Sequence, residues 1–224
     1  MTKLARFTFN HFGTNCYILS DEQGAAVIID PCFTSEAEAS KLTDFIATNH
    51  LEPQMVALTH PHPDHIGGVA FAKRLYNIPL AMHSADGELL AIAPAYGAQM
   101  GFNIEPLVAE IDLAEKKTLE VGTLRIEVLH TPGHSKGGVC FYEPEGGILL
   151  SGDTLFAGSI GRSDLPGGDY DELMRSIIEK LLPLGGGVKV YPGHGGDTTI
   201  GQEMGTNPFI GEVLDGGFNK DTTL

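Results

Sequence analysis

In the stretch Thr59-His60-Pro61-His62-Pro63-Asp64-His65-Ile66-Gly67-Gly68, three imidazoles and a carboxylate fall within the six residues from His60 to His65. Imidazole nitrogen and carboxylate oxygen are ligands for zinc, iron and manganese. The stretch directly follows the apolar run Met55-Val56-Ala57-Leu58, so a short strand is expected to end where the donors begin. A strand that delivers His-x-His-x-Asp-His into a turn has the residue types and spacing of a metal centre.

Three more positions share the same habit. His134 lies in Thr131-Pro132-Gly133-His134-Ser135, Asp153 in Ser151-Gly152-Asp153-Thr154, and His194 in Tyr191-Pro192-Gly193-His194-Gly195. Each follows an apolar run and sits in a glycine-containing turn, where the backbone can turn sharply. Strand ends along one sheet edge can converge, so these residues can surround one cleft. His60, His62, Asp64, His65, His134, Asp153 and His194 then supply five imidazoles and two carboxylates. A tetrahedral zinc takes about four ligands, so this set suits two ions sharing a carboxylate. Asp153 is the better bridge, because Asp64 is tied into one end of the cluster. Structural zinc sites favour cysteine, and none of the seven is cysteine, so open positions for water and substrate are expected. His11, His50, His83 and His130 lack the turn context and are set aside as ligands; His130, beside the Thr-Pro-Gly-His turn, is a candidate to brace it.

The elements that must position these residues can be read from periodicity. Leu4 to Phe9, Asn15 to Leu19 and Ala25 to Ile29 alternate as strands. Ser35-Glu36-Ala37-Glu38 reads as a capping box for a helix carrying Leu42, Phe45 and Ile46 and ending near Asn49. A helix over 68–76, with Val69, Ala72 and Leu75 on one face, and a strand over 78–82 follow. Residues 84–117 mix helix formers with Pro94, Gly97, Gly101 and Pro106, and are expected to form a flexible cover over a cleft. A hairpin is expected around Gly122-Thr123, and strands over 139–142 and 147–150. Asp169 with Glu172 caps a helix bearing Leu173, Ile177, Ile178 and Leu181; a last strand covers 188–191, and Thr198 or Thr199 caps a terminal helix. Two runs of strands, each followed by helices, predict an α+β fold with two sheets and outer helices.

The 224 residues are enough for one sizeable domain, and 42% of them are apolar. The net charge of −15 argues against nucleic acid or an anionic membrane as partner, since both call for basic surface. There is no apolar leader or membrane-length run, and the three cysteines, Cys16, Cys32 and Cys140, show no CxxC spacing. A cytoplasmic protein with free thiols is expected, with Cys16 and Cys140 in the core.

The motifs Thr-His-Pro-His-Pro-Asp-His-Ile-Gly-Gly, Thr-Pro-Gly-His-Ser, Ser-Gly-Asp-Thr-Leu-Phe and Tyr-Pro-Gly-His-Gly, in this order over residues 59–195, resemble those of the metallo-β-lactamase superfamily. Asn15-Cys16-Tyr17 and Ile28-Ile29-Asp30-Pro31 resemble its early strands. The resemblance implies a four-layer αββα sandwich with a dinuclear site at one edge. It implies that His60, His62 and His134 hold one metal, that Asp64, His65 and His194 hold the other, and that Asp153 bridges. The ions implied are two divalent cations, zinc first, with iron or manganese as alternatives. The segment from Ser151 to Gly168 is similar to that of short bacterial glyoxalase II-like hydrolases. Asp153 separates the chain from many β-lactamases, which carry Cys or Ser there, and His62 separates it from the flavodiiron branch, which carries Glu.

This resemblance implies a dinuclear metal-dependent thioester hydrolase acting on S-lactoylglutathione or a related hydroxyacyl thioester. Asp64 and Asp153 would orient the hydroxide, and Arg162 would bind a substrate carboxylate. Full-length glyoxalase II enzymes add a C-terminal helical domain, whereas only thirty residues follow His194; a single domain over 1–224, as a monomer or small homo-oligomer, is expected. Where those enzymes carry Lys and Tyr after the bridging Asp, this chain has Arg162 and Asp164. The alternative is a persulfide dioxygenase with one iron on His60, His134 and Asp153, because Gly161-Arg162-Ser163-Asp164 resembles a segment of that group too.

Overall fold

The computed structural model describes residues 1–213 and Gly216. Two six-stranded sheets face each other. The first has the order β1 (Lys3–Phe9), β2 (Thr14–Ser20), β3 (Ala25–Ile29), β4 (Glu52–Ala57), β5 (Leu80–Met82) and β6 (Ile111–Asp112). The second uses β7 (Thr118–Val121), β8 (Leu124–His130), β9 (Val139–Glu143), β10 (Ile148–Gly152), β13 (Lys189–Pro192) and β14 (Thr198–Thr199), with β14 and β7 at its edges. Between β10 and β13, β11 (Leu155–Phe156) and β12 (Ser159–Ile160) form a small separate hairpin.

Both sheets are covered on both faces, and the side-chain alternation of the strands shows how. On β2, Cys16 and Ile18 pack outward with the helical layer of α1 (Glu36–Thr48) and α3 (Val69–Tyr76), while Tyr17 and Leu19 point inward to the other sheet. On the second sheet, Phe141 and Leu150 face inward, while Cys140 and Leu149 face α5 (Tyr170–Ser176), α6 (Ile200–Thr206) and α7 (Pro208–Glu212). The result is the expected αββα sandwich of α+β class. The sheet–sheet core explains why β2 is buried along its whole length.

Local signals account for most boundaries. The Ser35 hydroxyl accepts from the Glu38 backbone N–H at the start of α1, and Asp169 and Thr199 cap α5 and α6 in the same way. Val69 and Ala72 of α3 are buried, but Leu75 on the same expected face is half-exposed. The segment 84–117 does border a cleft, through Tyr96 and Met100, but its expected flexible character is corrected. It holds a thirteen-residue helix, α4 (Gly87–Gln99), that continues through Pro94, and the edge strand β6. Burial of Leu90 and Ala93 against the outer helical layer outweighs the one backbone hydrogen bond that Pro94 cannot make.

Candidate metal centre

Each of the strands β4, β8, β10 and β13 ends at the same edge of the sandwich, and a donor follows each end. Beyond β4 comes the one-turn helix α2 (Pro63–Ile66), started by Pro63 and carrying Asp64 and His65. The turn after β8 brings in His134, the residue after β10 is Asp153, and the turn after β13 brings in His194. Strand β2 ties the two sheets together here: Asn15 donates its backbone N–H to Gly193 O at 2.7 Å, and Tyr17 donates its hydroxyl to Pro192 O at 2.7 Å. Gly193 allows the close approach, because a Cβ there would collide with the Asp153 carboxylate and the His65 ring.

All seven expected donors meet in this place. His134 Nε2 lies 2.9 Å from His62 Nδ1 and 3.2 Å from His60 Nε2, so three ring nitrogens converge. Beside them, Asp64 Oδ2 lies 3.5 Å from His65 Nε2 and 3.2 Å from His194 Nε2. Asp153 faces both groups, with Oδ2 at 3.7 Å from His134 Nε2 and Oδ1 at 3.4 Å from His65 Nε2. Six of the seven side chains are nearly buried; His194, at 28% exposure, marks the open side.

Three atoms of the cluster, His62 Nε2, His65 Nε2 and Asp153 Oδ1, are buried without any hydrogen-bond partner. An unpaired buried polar group costs about 1–3 kcal/mol. Three in one cluster leave polar valence that a bound cation would satisfy. Ring nitrogens of His60, His62 and His134 form one group close enough to share an ion, and Asp64, His65 and His194 form another. Asp30, His60 and His65 also lie close together. The Asp30 carboxylate, however, is already engaged: it accepts from the Thr59 backbone N–H at 2.8 Å, the Thr59 hydroxyl at 2.5 Å and the His65 ring Nδ1 at 3.0 Å. Its role is to orient. The residues fit divalent cations.

The electrostatics divide the cluster. Burial, and the neighbouring rings of His65 and His134, hold His60 well below the usual imidazole range. Burial and His134 bring His62 down to about 3. Both therefore present neutral nitrogens at pH 7. Burial also opposes charge on His65, but Asp64, Asp153 and Asp30 outweigh it and hold the ring well above its usual range. His194 is raised too, burial again being outweighed by Asp64 and Asp153. Burial works against the charged carboxylates, yet the His65 charge keeps Asp64 below its ordinary range and Asp153 at about 2.

Around the donors, Asp30, Thr14 and Asp86 have supporting roles that the sequence does not show. Thr14 donates its hydroxyl to Asp64 Oδ2 at 3.1 Å. Asp86, at the start of α4, accepts from Ser135 Oγ and from the Gly137 N–H, both at 2.7 Å, and so braces the His134 turn. The His134 ring is aimed by the Arg162 backbone carbonyl, 2.7 Å from Nδ1. Arg162 also borders the cleft, with its exposed guanidinium paired to the Asp164 carboxylate at 2.7 and 2.8 Å. His130 touches none of the seven; it stacks on His83 and reaches the Lys136 carbonyl at 2.9 Å. Cys16, Cys32 and Cys140 are buried and free, and the Cys32 thiol donates to Thr14 O at 3.2 Å. The cleft over the donors holds about 320 Å³ and is walled by Phe12, Tyr96, Met100 and Leu165.

The family model of the metallo-β-lactamase superfamily matches residues 10–194, which include all seven donors. The chain belongs to that superfamily. Among curated relatives in it, an uncharacterized protein of Aquifex aeolicus is 39% identical over 205 residues, 90% of this chain and 94% of that protein. The Haemophilus influenzae protein named hydroxyacylglutathione hydrolase GloC is 36% identical over 202 residues, 89% of this chain and 93% of that one. Among solved superfamily structures, that of BLEG-1, named as a B3 metallo-β-lactamase, has a TM-score of 0.83 at 39% identity, covering 93% of this chain and 99% of that one. TTHA1623 in a di-iron-bound form has a TM-score of 0.81 at 38% identity, covering 92% and 99%. ETHE1 from Myxococcus xanthus shares the superfamily fold, with a TM-score of 0.75 at 22% identity over 97% of this chain and 92% of that one.

Proposed function

We propose that this metallo-β-lactamase superfamily protein is a dinuclear metal-dependent hydrolase of thioesters, of the glyoxalase II type, with S-lactoylglutathione or a related hydroxyacyl thioester as substrate. The observation that carries the proposal is the set of seven converging donors with three buried, unpartnered atoms beneath an open cleft. The likeness to the protein named hydroxyacylglutathione hydrolase supports the substrate class.

In this reading His60, His62 and His134 hold one ion, Asp64, His65 and His194 hold the other, and Asp153 spans both. Two such ions, when bound, lower the pKa of a water to near neutrality and polarise the scissile carbonyl. The rest falls to the chain. Asp64 and Asp153, both ionised far below neutral pH, would accept hydrogen bonds from the attacking water and orient it rather than take its proton outright. Asp30 keeps the His65 ring turned so that Nε2 faces the cluster. Phe12, Tyr96, Met100 and Leu165 exclude water from the acyl group. The departing thiolate is a stable anion, so no strong general acid is needed. Arg162 takes a substrate carboxylate when its fork leaves Asp164.

The test is a thioester panel, with a β-lactam as control because of the likeness to BLEG-1, on protein of measured metal content. Two divalent ions per chain and thioester turnover are expected, and Asp153→Ala should lose both together. Thioesterase activity retained in Asp153→Ala would sink the reading. One iron per chain, with oxygen uptake on a persulfide, would replace it by the mononuclear dioxygenase.

A further inference from the structure

A second cavity, of about 500 Å³, lies beside the metal cleft and shares no lining residue with it. It has three walls, and each continues a wall of the metal cleft. One is α4 with its C-terminal cap, where Leu89 and Ile92 line the second cavity while Tyr96 and the capping Met100 line the first. This spacing puts the four side chains on one helix face, running from one cavity into the other. Another is the segment after Arg162, with Leu165 in the first cavity and Pro166 and Gly167 in the second. The last is the turn after β8, with His134 in the first and Lys136 in the second. Ile92 is 52% exposed, a large apolar side chain left open on this shared face.

The charges of the second cavity are one cation and one free anion. Lys136 and Glu88 line it, and neither takes part in the described ion pairs of the long cations, which join Arg6, Lys73, Arg74, Arg125 and Arg162 to other carboxylates. Asp86 lines it as well, but its two oxygens are engaged with Ser135 and Gly137. An apolar floor with one positive and one negative group suits a ligand of matching length that carries both signs. A polyphosphorylated thiol would meet a single cation, a free carboxylate and a chain of net charge −15.

We infer that the two cavities are halves of one cleft, and that the half beyond Ile92 binds the thiol arm of the substrate, a short zwitterionic peptide thiol whose carboxylate meets Lys136 and whose ammonium meets Glu88. The inference rests on the thioester reading for its orientation: the acyl carbon lies over the metal donors, and the sulfur leads the arm along α4. Leu89 and Ile92 give the arm an apolar bed, and the cleft volume lies in the range of small-molecule sites, about 300–1,000 Å³.

The experiment uses the metal-loaded full chain, and variants Lys136→Glu, Glu88→Lys and Ile92→Trp at solvent-exposed positions. Binding of S-methylglutathione, which has no scissile bond, is measured by calorimetry. In parallel, kcat/KM is measured for S-lactoylglutathione and for the lactoyl thioester of N-acetylcysteamine, whose arm is short and uncharged. S-methylglutathione is expected to bind the wild type, and each variant to weaken it about fivefold or more, the scale of losing one charge-assisted or packing contact. The ratio of the two kcat/KM values should fall by a similar factor in each variant. Equal binding by wild type and variants, an unchanged ratio, or no binding of S-methylglutathione overturns the inference. The two readings fail separately. Turnover of the short thioester without S-methylglutathione binding leaves the hydrolase standing and removes the subsite. Variant-sensitive S-methylglutathione binding without any thioester turnover does the reverse.

Discussion

Asp30 sits at φ +48°, in the left-handed region that disfavours side chains, and it holds three donors from Thr59 and His65 there. The strained backbone is kept because the carboxylate fixes which nitrogen of His65 faces the cluster. Asp30→Asn keeps the size but loses one acceptor. We expect metal affinity to fall about 10–100-fold, read by chelator competition, with the fold intact; unchanged affinity would show that His65 is held by packing alone. This residue also shows how far the site could be read in sequence. His134, Asp153 and His194 are legible because each follows a strand end in a glycine turn, and His60 because it opens a dense run of donors. Asp30 follows the end of β3 within the Ile28-Ile29-Asp30-Pro31 segment, but nothing in that segment points to its contact with His65, thirty-five positions away. Thr14 and Asp86 carry no motif, and their work depends on contacts fifty and forty-nine positions away along the chain.

At the scale of elements, local patterns foretold β1 to β4, α1 and the capped start of α5 because they are local, but of the expected stripe only Leu173 lies on α5, and Ile177–Leu181 form a wider π-helical turn after it. Helix α4 escaped because Pro94 and Gly97 are poor helix residues whose place is set by tertiary packing. Gly97 packs directly against Ile104 and Pro63, where a Cβ would crowd both. The start of this helix has a second task through Asp86. Its carboxylate is buried, joins the His134 turn to α4, and holds a backbone N–H and a hydroxyl that nothing else satisfies. Asp86→Ala leaves both donors unpaired, so a loss of about 1–3 kcal/mol is expected, measured by urea unfolding of the metal-loaded protein. Asp86→Asn, which still accepts from the Gly137 N–H, should recover part of it. Wild-type stability in Asp86→Ala would mean that the turn holds itself.

For the molecule as a whole, the two-sheet edge concentrates five imidazoles and two carboxylates, and among the described residues no helix is long and apolar enough to cross a membrane. The concentration makes stability depend on metal and pH together. In the metal-free protein, His65 and His194 are raised above the ordinary value of 6.5. Their stabilising pairs with Asp64 and Asp153 are fully present below 6.5 and are lost as pH rises through the raised values. His60 and His62, held low, act in the other direction, but only below 6.5, where the unfolded chain gains protons that the native chain refuses. Above 6.5 their contribution is level, so the metal-free protein should lose stability from pH 6.5 to 8.5. With His65 and His194 as the proposed ligands, metal binding has the opposite slope, because both must give up protons to bind the ion and a rising pH removes that competition. A free ion at about 100 times its dissociation constant adds about 2.7 kcal/mol to the loaded protein. Melting temperatures with and without a chelator should therefore diverge as pH rises from 6.5 to 8.5, and the ion proposed at Asp64, His65 and His194 should be the first to leave on acidification. Parallel melting curves across that range would show that the two rings are already neutral in the metal-free protein.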